Sequence, residues 1–329
     1  MTQAPTPTAD TVRRLVRALL KEGEEGGAGG NGTSGGAGGP EVRPVRPAAD
    51  GGDRTWWVGS RHVLRLAADR EAADRRRREL RLRDLVRPHL PVAVPVSVAH
   101  GDWSPGLPYT LDVRLPGGTG EEHDVSAVGE ADLAGLLGGL REVPARQAEA
   151  LGVPRVAPRS LEALRRMAVA AAERLARADE FDPARLNQLT PTGAAQLAAQ
   201  PATAVLVHHA LTGEHLVVSP DGRVRGVLDW SRTVLGDPAE DIATLALAVG
   251  SGAAVRAATL TGYGARPCLR GLWLARCDTV LRLADRLDGR STAAPLTLLR
   301  TRLRRAWEAI LLERVTELRE GDDGSDPEL

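Results

Sequence analysis

Between residues 208 and 215 the chain reads HHALTGEH, a segment that contains three histidines and Glu214. Imidazole and carboxylate groups so close together suggest a zinc site. Zinc-binding helices, however, place two histidines four residues apart, as in H-E-x-x-H. His208, His209 and His215 do not have this spacing. The pattern argues against zinc, so the histidines need another role.

Asp229 follows the apolar segment 224–228, which is typical of a strand, and precedes Trp230. A carboxylate at the end of a strand is a hard oxygen ligand suited to Mg²⁺. An aspartate in this place is also a common turn-capping residue. From the residue alone both interpretations are open. Asp237, directly before Pro238, predicts a helix cap under either interpretation.

The first half of the chain predicts a small antiparallel sheet with one helix over about residues 40–118. Residues 55–59 and 62–66 have the pattern of a hairpin, and 92–98 and 108–115 that of two further strands. Between them, residues 69–87 predict a charged helix. A Pro-Gly-Gly sequence beginning at Pro116 ends the last strand.

From about residue 127 the pattern is mainly helical, with short strands at 204–207, 216–218 and 224–228. We therefore expect an α+β, bilobal fold with a cleft, made of a small antiparallel N-lobe and a larger helical C-lobe. The expected boundaries are an N-terminal helix and Gly-rich flexible segment at 1–41, an N-lobe at 42–116, a C-lobe at 117–319 and a disordered tail at 320–329.

Composition excludes several classes of function. With 43 basic and 43 acidic residues the formal net charge is zero, which argues against a dedicated nucleic-acid binder. Lys21 is the only lysine, so Schiff-base chemistry in the folded body is nearly excluded. The sequence has no signal-peptide pattern and no run of 18 apolar residues, and Cys268 and Cys277 match no metal motif. These features predict a cytoplasmic protein with two free thiols.

Several residues between 207 and 243 have the order and spacing of a motif block that reads roughly H-G-D-L-x-x-x-N, then a hairpin, then I-D-W, then G-D-P-x-x-D. The matching residues are His208, Leu211, Asp229, Trp230, Gly236, Asp237, Pro238 and Asp241. In these positions the chain resembles the aminoglycoside phosphotransferase family of antibiotic and small-molecule kinases, which have a protein-kinase-like fold. The resemblance covers about residues 42–310.

The resemblance implies a nucleotide site in the N-lobe. Arg65 is in the place of the family's phosphate-binding cation, and Glu79 is in the place of the carboxylate that holds it. A strand at 109–115 resembles the hinge, against which adenine would bond backbone groups. Those groups belong to Asp112, Val113 and Arg114.

In the C-lobe the resemblance implies that Asp229 is a ligand of Mg²⁺ and that the donor is ATP or GTP. Asp241 is expected to support the catalytic loop by hydrogen bonds, and Asp237 to cap a helix. The second metal ligand, usually Asn, is here His215, as in the macrolide kinases of the same family. Imidazole is a poor ligand for Mg²⁺. His215 is therefore expected to orient a phosphate or a metal-bound water, or to be a hydrogen-bonded loop histidine.

The largest departure from the family is Ala210, in the position of the catalytic Asp. Three explanations are open: a natural pseudokinase, a deliberately inactivated kinase, or replacement of the base by a neighbour. His209 is the nearest candidate for that neighbour, and His208 and His215 complete the catalytic candidates. Losing a positioned base typically costs about 10²–10⁴-fold in rate.

The sequence thus predicts a phosphotransferase of the resistance or self-protection type, impaired by Ala210, that acts on a hydroxyl of an antibiotic or related small molecule. The alternative is a non-catalytic pseudokinase that binds nucleotide or metabolite. No nucleic acid or membrane partner is expected, and the acceptor stays open. Polycationic acceptors need acidic side chains and macrolides an apolar surface. The C-terminal region offers Asp278, Asp285, Asp288 and Glu308, but also many arginines. Trp273 and Trp307 either stack on a ligand or, as is more common for tryptophans at helical spacing, form core. The resemblance at His215 favours macrolide-like or other uncharged acceptors without deciding the question.

Overall fold

The computed structural model describes residues 8–25, 41–45, 53–199 and 204–310. The predicted tail at 320–329 and most of the Gly-rich stretch lie outside these residues. Two compact units divide the chain, one from Met1–Asp84 and Val94–Leu115 and the other from Leu85–Ala93 and Pro116–Leu329. We call them the N-lobe and the C-lobe. They differ from the predicted boundaries because helix α1 belongs to the N-lobe and Leu85–Ala93 to the C-lobe.

The N-lobe is a five-stranded antiparallel sheet in the order β1-β2-β3-β5-β4, with two helices. Its elements are α1 (Ala9–Glu25), β1 (Val42–Pro44), β2 (Asp53–Val58), β3 (His62–Ala67), α2 (Arg70–Val86), β4 (Ser97–Ser104) and β5 (Leu107–Val113). The predicted hairpin and the charged helix are confirmed. Gly59, with φ of 57°, lies in the turn between β2 and β3.

One predicted strand is wrong in its extent. Residues 92–96 are not part of β4, which begins at Ser97. Pro95 has no N–H to donate to a sheet ladder, and proline within a sheet is confined to edges and bulges. Ala93 instead forms an isolated bridge with Gly226 of the C-lobe.

The two faces of the N-lobe sheet have different roles. Leu64 and Leu66 of β3 point into an apolar core that Val12 and Val16 of α1 help to form. Because side chains alternate along a strand, Arg65 lies on the opposite face. Helix α1 therefore covers the apolar face and leaves Arg65 on the face that carries polar contacts.

Among the described residues, the C-lobe combines eight α-helices with three antiparallel strand pairings. Its elements are α3 (Ala127–Glu142), α4 (Ala145–Ala150), α5 (Leu161–Arg177), α6 (Pro191–Gln196), α7 (Ala239–Val249), α8 (Ser251–Leu260), α9 (Ala265–Leu287), α10 (Leu296–Ala306), β6 (Gly118–Thr119), β7 (Val205–Val207), β8 (Leu216–Val218), β9 (Val224–Val227) and β10 (Val234–Gly236). Strand β8 pairs with β6 and β9, and β7 pairs with β10.

The centre of the C-lobe is the packing of α7 against α9. A Cβ atom on Gly271 would lie 2.8 Å from side-chain atoms of Ile242, so only glycine allows the two helices to approach this closely. The predicted turn at 219–222 joins β8 to β9, with Gly222 at a φ of 75°. These elements place the ends of β7 and β9 beside the first turn of α7. None of the helices in the described residues is long and apolar enough to cross a bilayer.

The packing of α1 gives a first prediction. Val16 is 1% exposed in the N-lobe core. We expect Val16→Ala to lower the free energy of unfolding by about 2 kcal/mol, because it removes buried methyl groups and leaves a cavity. Denaturant unfolding measures this, with Arg17→Ala on the exposed side of the same helix as the control. Equal effects of the two variants would show that α1 is not part of the core.

Candidate functional site

The N-lobe brings Arg65 and Glu79 together. Arg65 Nη1 lies 3.4 Å from Glu79 Oε1, across from β3 to α2. The Arg65 side chain is 19% exposed and that of Glu79 only 1%. The buried Glu79 carboxylate therefore holds the Arg65 side chain, and the guanidinium of Arg65 reaches solvent. The role of Arg65 toward phosphate stays a prediction.

Glu79 has two further arginine partners that sequence reasoning missed. Arg76 Nη1 lies 3.1 Å from Glu79 Oε2, and Arg83 Nη2 donates to Glu79 Oε1. Arg83 also forms an ion pair of 3.2 Å with Asp112 on β5. The available signal was the spacing of Arg76 and Arg83, three residues before and four after Glu79 on one helix. The cluster holds three arginines and two carboxylates, so it carries an excess positive charge suited to an anion.

The expected adenine contacts are only partly available. The N–H of Val113 donates to Val96 O at 2.8 Å, and that of Arg114 donates to Arg61 O at 2.8 Å. Two of the three predicted backbone donors are thus already used within the N-lobe. The Asp112 carboxylate is buried, and it accepts from Ser97 Oγ at 2.5 Å. The prediction that adenine bonds here therefore depends on the N–H of Asp112 and on the carbonyl groups of this strand.

In the C-lobe, Asp241 holds the backbone of the loop at 208–215, which the sequence predicts to be the catalytic loop. Its Oδ2 accepts the N–H of His208 and its Oδ1 accepts the N–H of His209, both at 2.8 Å. Burial raises the pKa of Asp241 to about 7; the two amide hydrogen bonds act against this rise, and the charge of Glu240 adds to it. The first turn of α7 thus fixes the position of the loop that follows β7.

The His208 ring is completely buried and is occupied by structural contacts. Its Nε2 lies 3.1 Å from Leu228 O, and its ring packs edge-on against Trp230 with centroids 4.7 Å apart. These contacts join the start of the catalytic loop to the end of β9. The geometry makes His208 a positioning residue for the backbone that leads into Asp229.

His209 adopts a backbone conformation that normally favours glycine. Its φ is 66°, in the left-handed region, where the family motif has Gly. Burial lowers the pKa of its ring; the negative charge of Glu240 opposes this, and the positive charges of Arg232 and Arg159 add to it. The ring therefore lies among the charges of Glu240, Arg232 and Arg159.

His215 and Asp229 face each other beside Ala210. His215 Nδ1 lies 2.8 Å from Ala210 O, and a carbonyl oxygen can only accept, so the proton is on Nδ1. The other ring nitrogen, Nε2, is 3.6 Å from Asp229 Oδ2. Asp229 has a φ of 57°, and its Oδ1 accepts from Ser231 Oγ at 2.6 Å. One imidazole nitrogen and one carboxylate oxygen thus lie next to each other.

This donor set fits a divalent cation that is shared with a ligand. Among the described residues, no three His, Cys, Asp or Glu side chains are grouped so as to hold a metal by themselves. Mg²⁺ typically takes one or two protein ligands and completes its octahedron with phosphate oxygens and water. Asp229 would supply one hard oxygen to such an ion, and His215 Nε2 would accept a hydrogen bond from a metal-bound water or be a second, weaker ligand.

Asp237 has a structural role. Its Oδ1 accepts the N–H of Ala239 at 3.0 Å, which caps the start of α7. Its Oδ2 accepts from Arg270 Nε at 2.6 Å, and both side chains are buried. Asp237 therefore connects α7 to α9 and holds Asp241 in place from the adjacent turn.

Two expectations about the C-lobe core are settled by packing. Trp273 and Trp307 are buried against each other, with ring centroids 5.8 Å apart, so they form core rather than a surface on which a ligand stacks. Cys268 and Cys277 are free and buried, as expected. Burial raises the pKa of Cys277 to about 12.

The antiparallel N-lobe, the helical C-lobe and the loop held by Asp241 define a kinase-like fold. Residues 44–272 match the model of the APH phosphotransferase enzyme family. The chain therefore belongs to this phosphotransferase family. A search of curated protein sequences gives no match.

Solved structures show the same fold. The GDP complex of aminoglycoside 2'-phosphotransferase-IIIa is 17% identical, with 86% of this chain and 94% of that chain covered and a TM-score of 0.57. Macrolide 2'-phosphotransferase MphH from Brachybacterium faecium is 23% identical, with 90% and 100% covered and a TM-score of 0.53. A type I macrolide 2'-phosphotransferase is 20% identical, with 94% and 100% covered and a TM-score of 0.55.

The backbone at His209 gives a second prediction. We expect His209→Gly to be more stable than His209→Ala by about 1 kcal/mol, because both lose the ring but only alanine keeps a Cβ in the left-handed region. Denaturant unfolding of the two variants measures the difference.

The control is the same pair of changes at Thr212, which has an ordinary φ of −85°. There the order should reverse, because glycine loses more conformational entropy on folding. If His209→Ala were as stable as His209→Gly, the loop would not have the conformation described.

Proposed function

We propose that this chain is a small-molecule O-phosphotransferase that moves the γ-phosphate of ATP or GTP to a hydroxyl group of an antibiotic or a related compound. Family membership supports the reaction class. Solved structures with the same fold include a GDP complex and a ternary complex of streptomycin, ATP and APH(2")-IIa. The observation that carries the proposal is the loop held by Asp241, next to the facing pair of His215 and Asp229.

Phosphoryl transfer depends mainly on position and charge, because its transition state is loose and its charge is spread over the phosphate oxygens. Mg²⁺, when bound, neutralises charge on the β- and γ-phosphates. Asp229 and His215 would hold that ion. Arg65 would contact the donor phosphates, and its bidentate guanidinium suits phosphate geometry. Glu79 keeps Arg65 in place from its buried position.

At Ala210 the proposed site lacks the carboxylate that the family motif has in this position. The methyl group of Ala210 has no atom that could accept the proton of an acceptor hydroxyl or orient that hydroxyl. The backbone carbonyl of Ala210 accepts a hydrogen bond from His215. We therefore propose that transfer by this chain is strongly impaired. The groups that we propose to bind nucleotide and metal do not include the side chain at 210, so nucleotide binding would be retained.

The same residue favours a second candidate function, a pseudokinase that binds nucleotide or a metabolite without transfer. The two candidates agree on nucleotide binding and differ only in whether the remaining site supports catalysis. Restoring a carboxylate at position 210 therefore separates them.

Replacement of Ala210 gives the third prediction. We expect Ala210→Asp to raise the rate of phosphate transfer by about 10²–10⁴-fold, because the carboxylate orients the acceptor hydroxyl and takes its proton. Ala210→Asn is the matched control, because the asparagine side chain has the same shape as aspartate but is a far weaker base. The measurement is transfer of labelled γ-phosphate to a panel of hydroxylated antibiotics.

Failure of Ala210→Asp to phosphorylate any acceptor, in a protein that still binds nucleotide, would favour the pseudokinase. Equal rates for Ala210→Asp and Ala210→Asn would contradict the role of position 210 as the base.

Arg65 gives the fourth prediction. We expect Arg65→Ala to weaken nucleotide binding by about 10- to 100-fold, which corresponds to the loss of roughly 1.5–3 kcal/mol of charge-assisted hydrogen bonding. Arg61→Ala, an exposed arginine on the same hairpin, is the control and should bind as the unchanged chain does. Titration calorimetry with ATP and GTP measures both. Unchanged affinity in Arg65→Ala would remove this residue from the nucleotide site.

A further inference from the structure

The residues that follow β6 lie across the turn that carries His215. The N–H of Gly120 donates to Gly213 O at 2.8 Å and to Leu216 O at 3.1 Å. Beginning at the first of these carbonyl groups, the chain forms a short 3-10 turn, Gly213–His215, which we call the His215 turn. Gly120 is buried. One buried amide group therefore holds both ends of the His215 turn.

Two glycines allow this close approach. A Cβ atom on Gly120 would lie 3.2 Å from Gly213 O, which leaves little room for a side chain. A Cβ atom on Gly213 would lie 2.7 Å from both Cδ and Oε1 of Glu121, closer than packed atoms approach each other. The carboxyl group of Glu121 therefore packs directly against the backbone of the His215 turn.

Two arginines of α10, three residues apart on one face of the helix, hold the Glu121 carboxylate in this place. Arg302 Nη2 lies 3.1 Å from Oε1, and Arg305 Nη1 lies 3.5 Å from Oε2. The side chains of Arg302 and Arg305 are 9% and 18% exposed, and that of Glu121 is 22% exposed. Ion pairs that are mostly buried are screened less than exposed ones. Because each arginine approaches a different oxygen, the pairs fix the orientation of the carboxylate as well as its position.

His215 is fixed relative to its turn by three hydrogen bonds. Its N–H donates to Thr212 O at 3.0 Å, and its carbonyl accepts the N–H of Leu228 at 2.9 Å. Its ring Nδ1 lies 2.8 Å from Ala210 O. With these bonds made, the distance of 3.6 Å between the ring Nε2 and Asp229 Oδ2 depends on where the His215 turn lies.

We propose that Glu121 is a positioning residue for His215. Its partners Arg302 and Arg305 keep it in place, so that α10 sets the distance between the His215 ring and Asp229. The inference rests on the proposed function, in which this pair would hold Mg²⁺ at the donor phosphates. A turn that is not held presents the ring in the binding position for only part of the time, and the apparent affinity for the ligand falls by that fraction.

The test is titration calorimetry of ATP into the full chain, with and without Mg²⁺. Arg302→Met removes the closer of the two cations that hold Glu121. We expect it to weaken binding with Mg²⁺ by about 3- to 10-fold and to change binding without Mg²⁺ by less than about twofold. Arg302→Lys keeps the charge and should recover most of the loss. Arg304→Met, on the exposed side of α10, is the matched control and should bind as the unchanged chain does.

The same titrations in a His215→Gln background separate positioning from a general loss of structure. If Arg302 acts through His215, adding Arg302→Met to His215→Gln should change the affinity with Mg²⁺ by less than about twofold. An equal loss with and without the imidazole would overturn the inference. So would an affinity in Arg302→Met that matches that in Arg304→Met.

Hydrogen exchange of the Gly120 amide in the unliganded chain gives a readout that needs no nucleotide. We expect exchange to be at least about tenfold faster in Arg302→Met than in Arg304→Met, because Glu121 no longer holds the backbone beside it. Should Arg302→Met fail to fold, Glu121→Gln makes the same comparison, since glutamine has the same shape and no charge. Unchanged exchange in the folded variant would overturn the inference. If the unchanged chain binds no ATP, the proposed function fails, whereas the exchange rates still decide whether α10 fixes the His215 turn.

Discussion

The Asp241 carboxylate is the contact on which the C-lobe site depends. It is 2% exposed, and its two oxygens accept the backbone N–H groups of His208 and His209. From there the loop passes through the left-handed conformation of His209 to Ala210, whose carbonyl accepts from His215. His215 in turn faces Asp229. One buried acid at the start of α7 thus sets the positions of the residues that would meet a nucleotide. Burial of this acid is costly, and the two amide hydrogen bonds offset part of the cost.

Arginine carries nearly all the positive charge of the chain, and both lobes use the shape of its side chain. In the N-lobe, Arg83 bonds Glu79 and lies against Asp112 at once, which leaves Glu79 able to hold Arg65 as well. In the C-lobe, Arg159 bonds two carboxylates with four hydrogen bonds. A lysine ammonium offers a point charge and no planar fork, so it does not reproduce this geometry. The N-lobe cluster keeps an excess of positive charge, which suits phosphate, whereas the single positive charge of Arg159 is shared by two carboxylates.

Much of the fold could be predicted because local chemistry decided it. The turn at 219–222 and the hairpin around Gly59 follow from glycine and turn residues between apolar segments. The strand predicted from residue 92 was wrong because periodicity ignores the N–H that Pro95 lacks. In the site, motif spacing indicated Asp229 and Asp241, but Arg76, Arg83 and Arg159 were missed. Arg76 and Arg83 had a signal in their spacing from Glu79 on α2, whereas the partners of Arg159 lie on α7 and α9, which meet it only in the fold.

We propose that this chain keeps a functional nucleotide and metal site although position 210 is alanine. Calorimetric titration of ATP and GTP, with and without Mg²⁺, into the unchanged chain and into Asp229→Ala tests it most directly. The account predicts binding that strengthens with Mg²⁺ in the unchanged chain, and loss of that strengthening in Asp229→Ala. Absence of nucleotide binding, or binding that neither Mg²⁺ nor the loss of Asp229 changes, would contradict it.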